Sequence, residues 1–178
     1  MTIFTELKLP FVLASASPRR HELLNAIGMK FVTDPGRSPE PDRKPGESPG
    51  RYAVRVARSK ARETAPRHPG RIIIGADTIV VAGDRILGKP ASRREATAML
   101  RNLSGRWHEV FTGICLIDNE SGRVASAHSR SRVHMRRLSR EDVQRYLSTG
   151  EYQDKAGAYA IQGYASLFID RIEATSTS

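Results

Sequence analysis

Residues 71–77 read Arg71-Ile72-Ile73-Ile74-Gly75-Ala76-Asp77, and no other stretch constrains the fold as tightly. β-Branched side chains have few rotamers in a helix and pack well on a pleated surface, so three isoleucines in a row favour extended backbone. Successive side chains of a strand point to opposite faces, so this strand must be apolar on both. A strand covered on both sides sits inside a sheet with helices on each face, which predicts an α/β fold.

The remaining pattern supplies those helices. Residues 11–14 read as a short strand. Ser17-Pro18 then opens a helix, with Ser17 as cap and Pro18 at the first helical position. Leu23, Leu24 and Ile27 form its apolar face, and Gly28 ends it. Residues 29–33 suit a second strand. Residues 34–49 carry Pro35, Pro39, Pro41, Pro45 and Pro49 with Gly36 and Gly46, which predicts a long loop without regular structure. A basic helix follows over 51–65, with Tyr52, Val56 and Ser59 on one side. The isoleucine strand is expected to end at Asp77, followed by a hairpin through residues 79–81, the Gly83-Asp84 turn and Ile86-Leu87.

Ser92-x-x-Glu95 is a capping box for a helix reaching about Leu103. Residues 110–117 read as a strand. Residues 124–136 alternate with period two, with Ser126, His128, Arg130, Arg132, His134 and Arg136 on one basic, wet face. Ser139 with Glu141 and Asp142 starts the last helix, and Gly150 stops it. Residues 159–161 and 167–172 read as final strands. Hairpins and β-α steps together predict a mixed twisted sheet with flanking helices.

Length and composition narrow the function. A chain of 178 residues makes one domain or two closely joined lobes. No apolar run approaches the ~20 residues that a membrane-spanning helix needs. The stretch Met1–Pro10 lacks the ordered regions of a secretory signal, so cytosol is the expected compartment. The one cysteine, Cys115, lies in the apolar run Ile114-Cys115-Leu116-Ile117 and reads as a buried structural thiol. Lysine and arginine number 29 against 19 acidic residues, a formal net charge of +10. That balance favours an anionic partner, whether nucleotide, nucleic acid or acidic surface.

Four segments could carry chemistry. In Ser15-Ala16-Ser17-Pro18-Arg19-Arg20 two arginines occupy a helix's first turn, where the dipole favours acids. Free N–H groups, hydroxyls and guanidinium groups together would cradle phosphate, and an exposed cap with solvated arginines is the equally weighted alternative. Asp77, at a strand's carboxyl end with Thr78 beside it, could bind a hard cation or take a proton from water, or could be an ordinary turn residue. Leu87-Gly88-Lys89-Pro90 offers a close backbone approach and a compact charge, as ordinary turns also do. In the run from Asp154 to Gly163 the Gln162 amide could read a base edge, or simply close a tight loop.

These segments, in this order, resemble the Maf family of nucleotide pyrophosphatases. The matching stretches are Leu13-Ala14-Ser15-Ala16-Ser17-Pro18-Arg19-Arg20-His21-Glu22-Leu23-Leu24, Gly75-Ala76-Asp77-Thr78, Leu87-Gly88-Lys89-Pro90, Leu103-Ser104-Gly105 and residues 154–163. Residues 154–163 resemble the branch that acts on dTTP and UTP. The resemblance implies a Maf or inosine-triphosphatase-like fold of two lobes around a central cleft, and hydrolysis of a nucleoside triphosphate to monophosphate and pyrophosphate. By the same resemblance, Asp77 is the general base, helped by Mg²⁺ or Mn²⁺, with Glu40 as an acidic residue near the metal. Arg20, Lys60 and Lys89 hold the triphosphate, Ser15 lines the phosphate loop, and Arg19, Thr78 and Gln162 set substrate choice. A homodimer is also implied. The family-like domain is expected over 1–172, with 173–178 a polar disordered tail in place of the family's C-terminal helix.

A competing reading is a nucleic-acid-binding or regulatory protein linked to septum formation. Its support is the charge, the basic face through Arg136 and the helix around Arg55 and Arg58. No recognised nucleic-acid motif and few aromatic residues stand against it.

Overall fold

The structure is a computed structural model that describes residues 11–175; the stretch Met1–Pro10 and the last three residues of the expected tail lie outside the described residues. Seven strands run β1 (Phe11–Leu13), β2 (Phe31–Thr33), β3 (Ile72–Ala82), β4 (Arg85–Leu87), β5 (Arg106–Asp118), β6 (Val124–Met135) and β7 (Ile169–Thr175). Four helices are α1 (Pro18–Ala26), α2 (Pro49–Thr64), α3 (Arg93–Leu103) and α4 (Arg140–Ser148). The sheet order is β2-β1-β3-β5-β6-β7, with β4 on β3. β1 pairs in parallel with β2 and β3, whereas β4 runs antiparallel to β3 and β7 to β6. The sheet is therefore mixed, as the order of elements predicts. No described helix is long and apolar enough to cross a membrane.

The chain divides into two compact units, one running to Asp77 with Thr112–His128, the other Thr78–Phe111 with the chain from Ser129. In the first unit the isoleucine run behaves as its composition requires. Ile73 joins Val12, Ala14, Cys115 and Ile117 in one cluster with Ala57 and Ala61 of α2, and Ile74 joins Phe11 and Leu13 in another with Leu24 of α1. Cys115 is buried and burial pushes its thiol pKa up, in keeping with a structural role.

Helix α2 lies unusually close to the sheet. Its buried positions are nearly all small: Gly50, Ala53, Val56, Ala57, Ala61 and Thr64. They face glycines. A Cβ added at Gly75 would stand 2.1 Å from the Ala57 carbonyl oxygen, and one at Gly113 would stand 2.3 Å from the Ala53 carbonyl carbon. Of Tyr52, Val56 and Ser59, which the sequence pattern groups on one side, only Val56 is buried; the packed side is lined by alanine, which lets the helix approach where larger residues would hold it off.

The second unit packs α3 and α4 through Leu100, Leu103, Tyr146 and Leu147 around Val80, Met135 and Phe168. Both helix starts follow the sequence signals. Ser92 accepts from the Glu95 N–H, but the Glu95 carboxylate accepts from the Ala91 N–H and not from that of Ser92, so the expected box is only half formed; Ser139 forms a full capping box with Asp142. Within this core the His108 Nε2 and the Tyr159 hydroxyl lie 2.5 Å apart. Burial lowers the His108 pKa to about 4 and raises that of Tyr159, so the phenol donates to a neutral imidazole.

Four expectations are corrected. β3 does not stop at Asp77 but continues to Ala82, since Thr78-Ile79-Val80-Val81 is itself β-branched and offers no break. Residues 159–161 are not a strand: positive φ at Asp154, Gly157, Ala158 and Gly163 turns the backbone repeatedly around them. Leu23 and Ile27 are half exposed, and only Leu24 of the expected α1 face joins a core. β7 extends to Thr175, with Glu173 on Arg132 at 2.8 Å, so residues 173–175 belong to the sheet and not to a tail.

The close helix approach predicts a large glycine effect. Gly113→Ala forces backbone apart and should cost about 1–3 kcal/mol, whereas Gly88→Ala, with open space around its Cβ, should change stability by less than about 0.5 kcal/mol. Urea unfolding of both variants measures this, and equal effects would refute the close-packing account. The His108 pair predicts a pH dependence. Between about pH 4 and 6.5 the unfolded chain binds a proton that the folded imidazole refuses. The pair's contribution, of the order of 3 kcal/mol, is complete above pH 6.5 and lost as pH falls toward 4. The stability difference between the parent and His108→Gln should shrink over that window; a pH-independent difference would show that His108 is not held neutral.

Candidate active site

In the first unit, Lys60 joins two carboxylates. Its Nζ donates to Asp77 Oδ1 at 2.7 Å and to Glu40 Oε1 at 2.7 Å. The close seating of α2 makes this possible. Ala61 sits against Gly75, so the preceding residue Lys60 is carried over the position two residues further along the same strand face, which is Asp77. Asp77 is buried, with its side chain 8% exposed against 23% for Lys60 and 46% for Glu40. The parallel β1–β3 pairing ends at Leu13↔Ile74, so Asp77 lies just beyond the end of β1 although its own strand continues.

The chain leaving β1 turns back over that gap. The Ser15 Oγ accepts from the Ser17 N–H at 3.3 Å and from Arg20 Nη1 at 2.8 Å. Arg20 Nη1 also donates to the Ala76 carbonyl at 2.8 Å, which ties the first turn of α1 to β3 beside Asp77. Burial lowers the Arg20 pKa, Asp77 raises it and neighbouring Arg19 lowers it further, while a guanidinium stays charged throughout. Ser17 occupies the cap position but makes no side-chain cap bond; Ser15 is the organising hydroxyl. A groove of about 230 Å³ beside Ser15, Ser17 and Pro18 opens to His21 and Glu22.

Glu40 comes from the proline-rich loop, whose apparent disorder in sequence conceals a firm attachment to α2. The N–H groups of Arg37 and Ser38 donate to Glu63 Oε1 at 2.6 and 3.1 Å. Arg55 pairs with Glu47 at 2.8 Å and donates to the Asp42 carbonyl. At the loop's start Arg67 and His68 hold Asp34, which brings its carboxyl down to about 2, chiefly through the Arg67 hydrogen bond. Sequence reasoning missed Glu63, although it is the one acid in an otherwise basic α2. Tyr52 was missed as well; burial and the nearby Glu40 and Asp77 charges push its phenol up.

Ser15 with Arg20, and Glu40 with Lys60 and Asp77, thus form two hydrogen-bonded sets that meet where Arg20 holds the Ala76 carbonyl next to Asp77, with Arg19 following Pro18 in the same turn. Two carboxylate oxygens converging on one positive charge fit a hard divalent cation, which takes one or two carboxylates and fills its other positions with water and phosphate oxygens. No group of three or more His, Cys, Asp or Glu converges among the described residues, so the protein would supply only part of such a coordination shell.

Thr78, Lys89 and Gln162 fall in the second unit. There the Gly157 N–H donates to the Gly88 carbonyl at 3.0 Å, which holds the Lys89 loop against residues 154–163. Lys89 and Gln162 are exposed and Thr78 is half-buried. The basic face of β6 is internally compensated: Arg130 pairs with Glu109, Arg132 with Glu173 while stacking over Trp107, and His134 with Asp170. That pairing removes the main support for a nucleic-acid surface there.

Comparison with known proteins agrees with the residue pattern. A family model described as Maf-like protein matches residues 10–178. A dTTP/UTP pyrophosphatase of Desulforamulus reducens is 46% identical over 92% of this chain and 85% of its own length. One from Symbiobacterium thermophilum is 48% identical over 90% and 81%. The solved structure of a HAM1 protein from Coxiella burnetii aligns with 74% of this chain and 75% of that one, at 23% identity and a TM-score of 0.45.

The ion-pair geometry makes a prediction about stability. Lys60→Met leaves the buried Asp77 carboxylate without its ammonium and should cost about 1–3 kcal/mol. Glu40→Gln removes the half-exposed partner and should cost less than about 1 kcal/mol. Chemical denaturation at neutral pH ranks the two; a Glu40 variant as damaging as the Lys60 variant would mean that Asp77 is not the buried end of the network.

Proposed function

We propose that this chain, which belongs to the Maf-like protein family, is a nucleoside triphosphate pyrophosphatase that converts dTTP and UTP to the monophosphate and pyrophosphate. Its similarity to relatives named for that activity supports the substrate, and the Asp77–Lys60–Glu40 cluster carries the mechanism. Asp77 is the general base. It accepts a proton from water as the water oxygen bonds to phosphorus, and the α–β phosphoanhydride bond breaks with pyrophosphate as the leaving group. Lys60 and Arg20 bind phosphate oxygens and spread the charge that develops on them. Ser15 orders the loop that presents backbone N–H groups to the same anion. A divalent cation, Mg²⁺ or Mn²⁺, held by Asp77 and Glu40, supplies further charge neutralisation when bound.

In the second unit, Lys89 takes the phosphate-binding role and Thr78 and Gln162 the discriminating role that the family resemblance assigns, with Arg19 of the first unit added to the latter. The exposure of Lys89 and Gln162 leaves both side chains accessible to a ligand. The same reading makes the protein a cytoplasmic homodimer, active in nucleotide metabolism or in clearing modified pyrimidine nucleotides.

Incubation with dTTP, UTP, ATP and GTP, with and without Mg²⁺ or Mn²⁺, tests the proposal once the products are separated. The expected outcome is metal-dependent release of dTMP or UMP with pyrophosphate, and a fall of about 10²-fold or more in Asp77→Asn. Release of single phosphate, or full activity in the variant, would overturn the assigned bond or the assigned base respectively.

A further inference from the structure

The second unit carries a separate concentration of positive charge. A groove of about 530 Å³ between α3 and α4 is lined by Arg93, Arg94, Arg101 and Arg140, and no carboxylate lines it. Helical spacing produces this. Arg93, Thr97 and Arg101 recur every four residues along α3, while Arg140, Gln144 and Ser148 do the same along α4. Arg93 bridges the helices by donating to the Leu147 carbonyl at 3.3 Å. Arg94, Arg101 and Arg140 are exposed, and none pairs with a carboxylate among the described residues.

The contrast with β6 gives this weight. Arg130, Arg132 and Arg136 of the same unit each have an acidic partner, whereas the arginines that line this groove share one open surface with no carboxylate in its lining. Four guanidinium groups left together repel one another, and a local rule broken in this way marks a candidate site. Guanidinium groups match phosphate oxygens through paired N–H donors. The floor is the buried Val143 and Leu147, and no aromatic residue lines the groove on which a base could stack. The volume suits a small molecule and not an extended strand.

We propose that the α3–α4 groove is a second anion site that takes a compact molecule bearing two or more linked phosphate groups, reading the phosphates and not a base. Inorganic condensed phosphate and the phosphate chain of a nucleotide share that chemistry.

The test is isothermal titration with tripolyphosphate in EDTA, on the full chain carrying Asp77→Asn to suppress turnover. Adding Arg94→Ala, Arg101→Ala and Arg140→Ala should abolish one binding event or weaken it by about tenfold or more. The same net-charge change made at exposed Arg51, Arg62 and Arg123 should leave that event intact. The comparison reads a difference between variants, so it holds whether or not the Asp77 cluster binds the probe. Unchanged binding in the groove variant, or equal loss in both, would overturn the proposal. Circular dichroism checks folding, and Arg101→Gln alone serves if the triple variant misfolds, with a weaker loss of the same event expected. dTTP should then bind the groove within about tenfold of tripolyphosphate, separating phosphate recognition from base recognition. A single-stranded oligonucleotide that binds there far more tightly than either would make the groove a nucleic-acid track and reject the compact-ligand assignment.

Discussion

The contact on which the site depends is backbone against backbone: α2 resting on β3 and β5 through Ala57 and Gly75, and through Ala53 and Gly113. Hydrophobic burial alone would be satisfied by larger residues at a larger separation. The small residues forgo that apolar area and bring the helix nearer to the sheet. Nearness matters because Lys60 must place its ammonium on Asp77, a residue that the sheet buries. Burying the carboxylate is tolerable because the partner arrives with its long stem lying along the helix and its charged tip at the acid. Glu40 then joins from a loop that has no regular structure but is fastened to the same helix by Glu63 and Arg55. One helix therefore reaches both carboxylates, Asp77 through Lys60 and Glu40 through Lys60 and the fastened loop.

The electrostatics follow a division of labour among the basic residues. Lys60 and Arg20 are held by two carboxylates, a hydroxyl and a carbonyl, so their positions are defined before any ligand arrives. Fixed donors need little reorganisation to meet a phosphate, which is where preorganised charge acts most strongly. Arg130 and Arg132 of β6, and Arg136 just beyond it, are matched by Glu109, Glu173 and Asp142 and serve the sheet and its flank. Other arginines stand on exposed helix faces, among them Arg94, Arg101 and Arg140 along the α3–α4 groove. Net charge computed from composition cannot distinguish these three uses, because it does not know which acid each arginine meets.

Residues 154–163 show a different economy. Ala158 has φ 62°, a left-handed conformation unusual for a residue with a Cβ, and it is fully buried beside Gly157, which rests on Val80. Such a conformation persists only where the surroundings hold it. Here the Tyr159–His108 pair on one side and the Gly157–Gly88 hydrogen bond on the other supply that constraint. The same bond fixes the Lys89 loop, so the two motifs of this unit are parts of one local structure.

Much of the fold could be read directly from residue order. The isoleucine run, the helix starts at Ser92 and Ser139 and the terminating glycines depend on interactions within a few residues, and those were legible. The family motifs likewise contain Ser15, Arg20 and Asp77, and the resemblance implied Lys60. Their meeting was not legible, because it depends on contacts between segments far apart in the chain: Lys60 with Asp77, Arg20 with Ala76, Glu40 with Lys60. The isoleucine strand seemed to end at its carboxylate, since sequence shows a charge following apolar residues but not that β1 stops at Leu13 and opens the sheet there. The basic face of β6 was visible as a pattern, and its neutrality was not, since the compensating Glu109, Asp170 and Glu173 come from other strands. Sequence by itself determined which residues could be charged, buried or bent; tertiary structure decided which of them face one another, because Coulomb and packing energies depend on distance in space and not on separation along the chain.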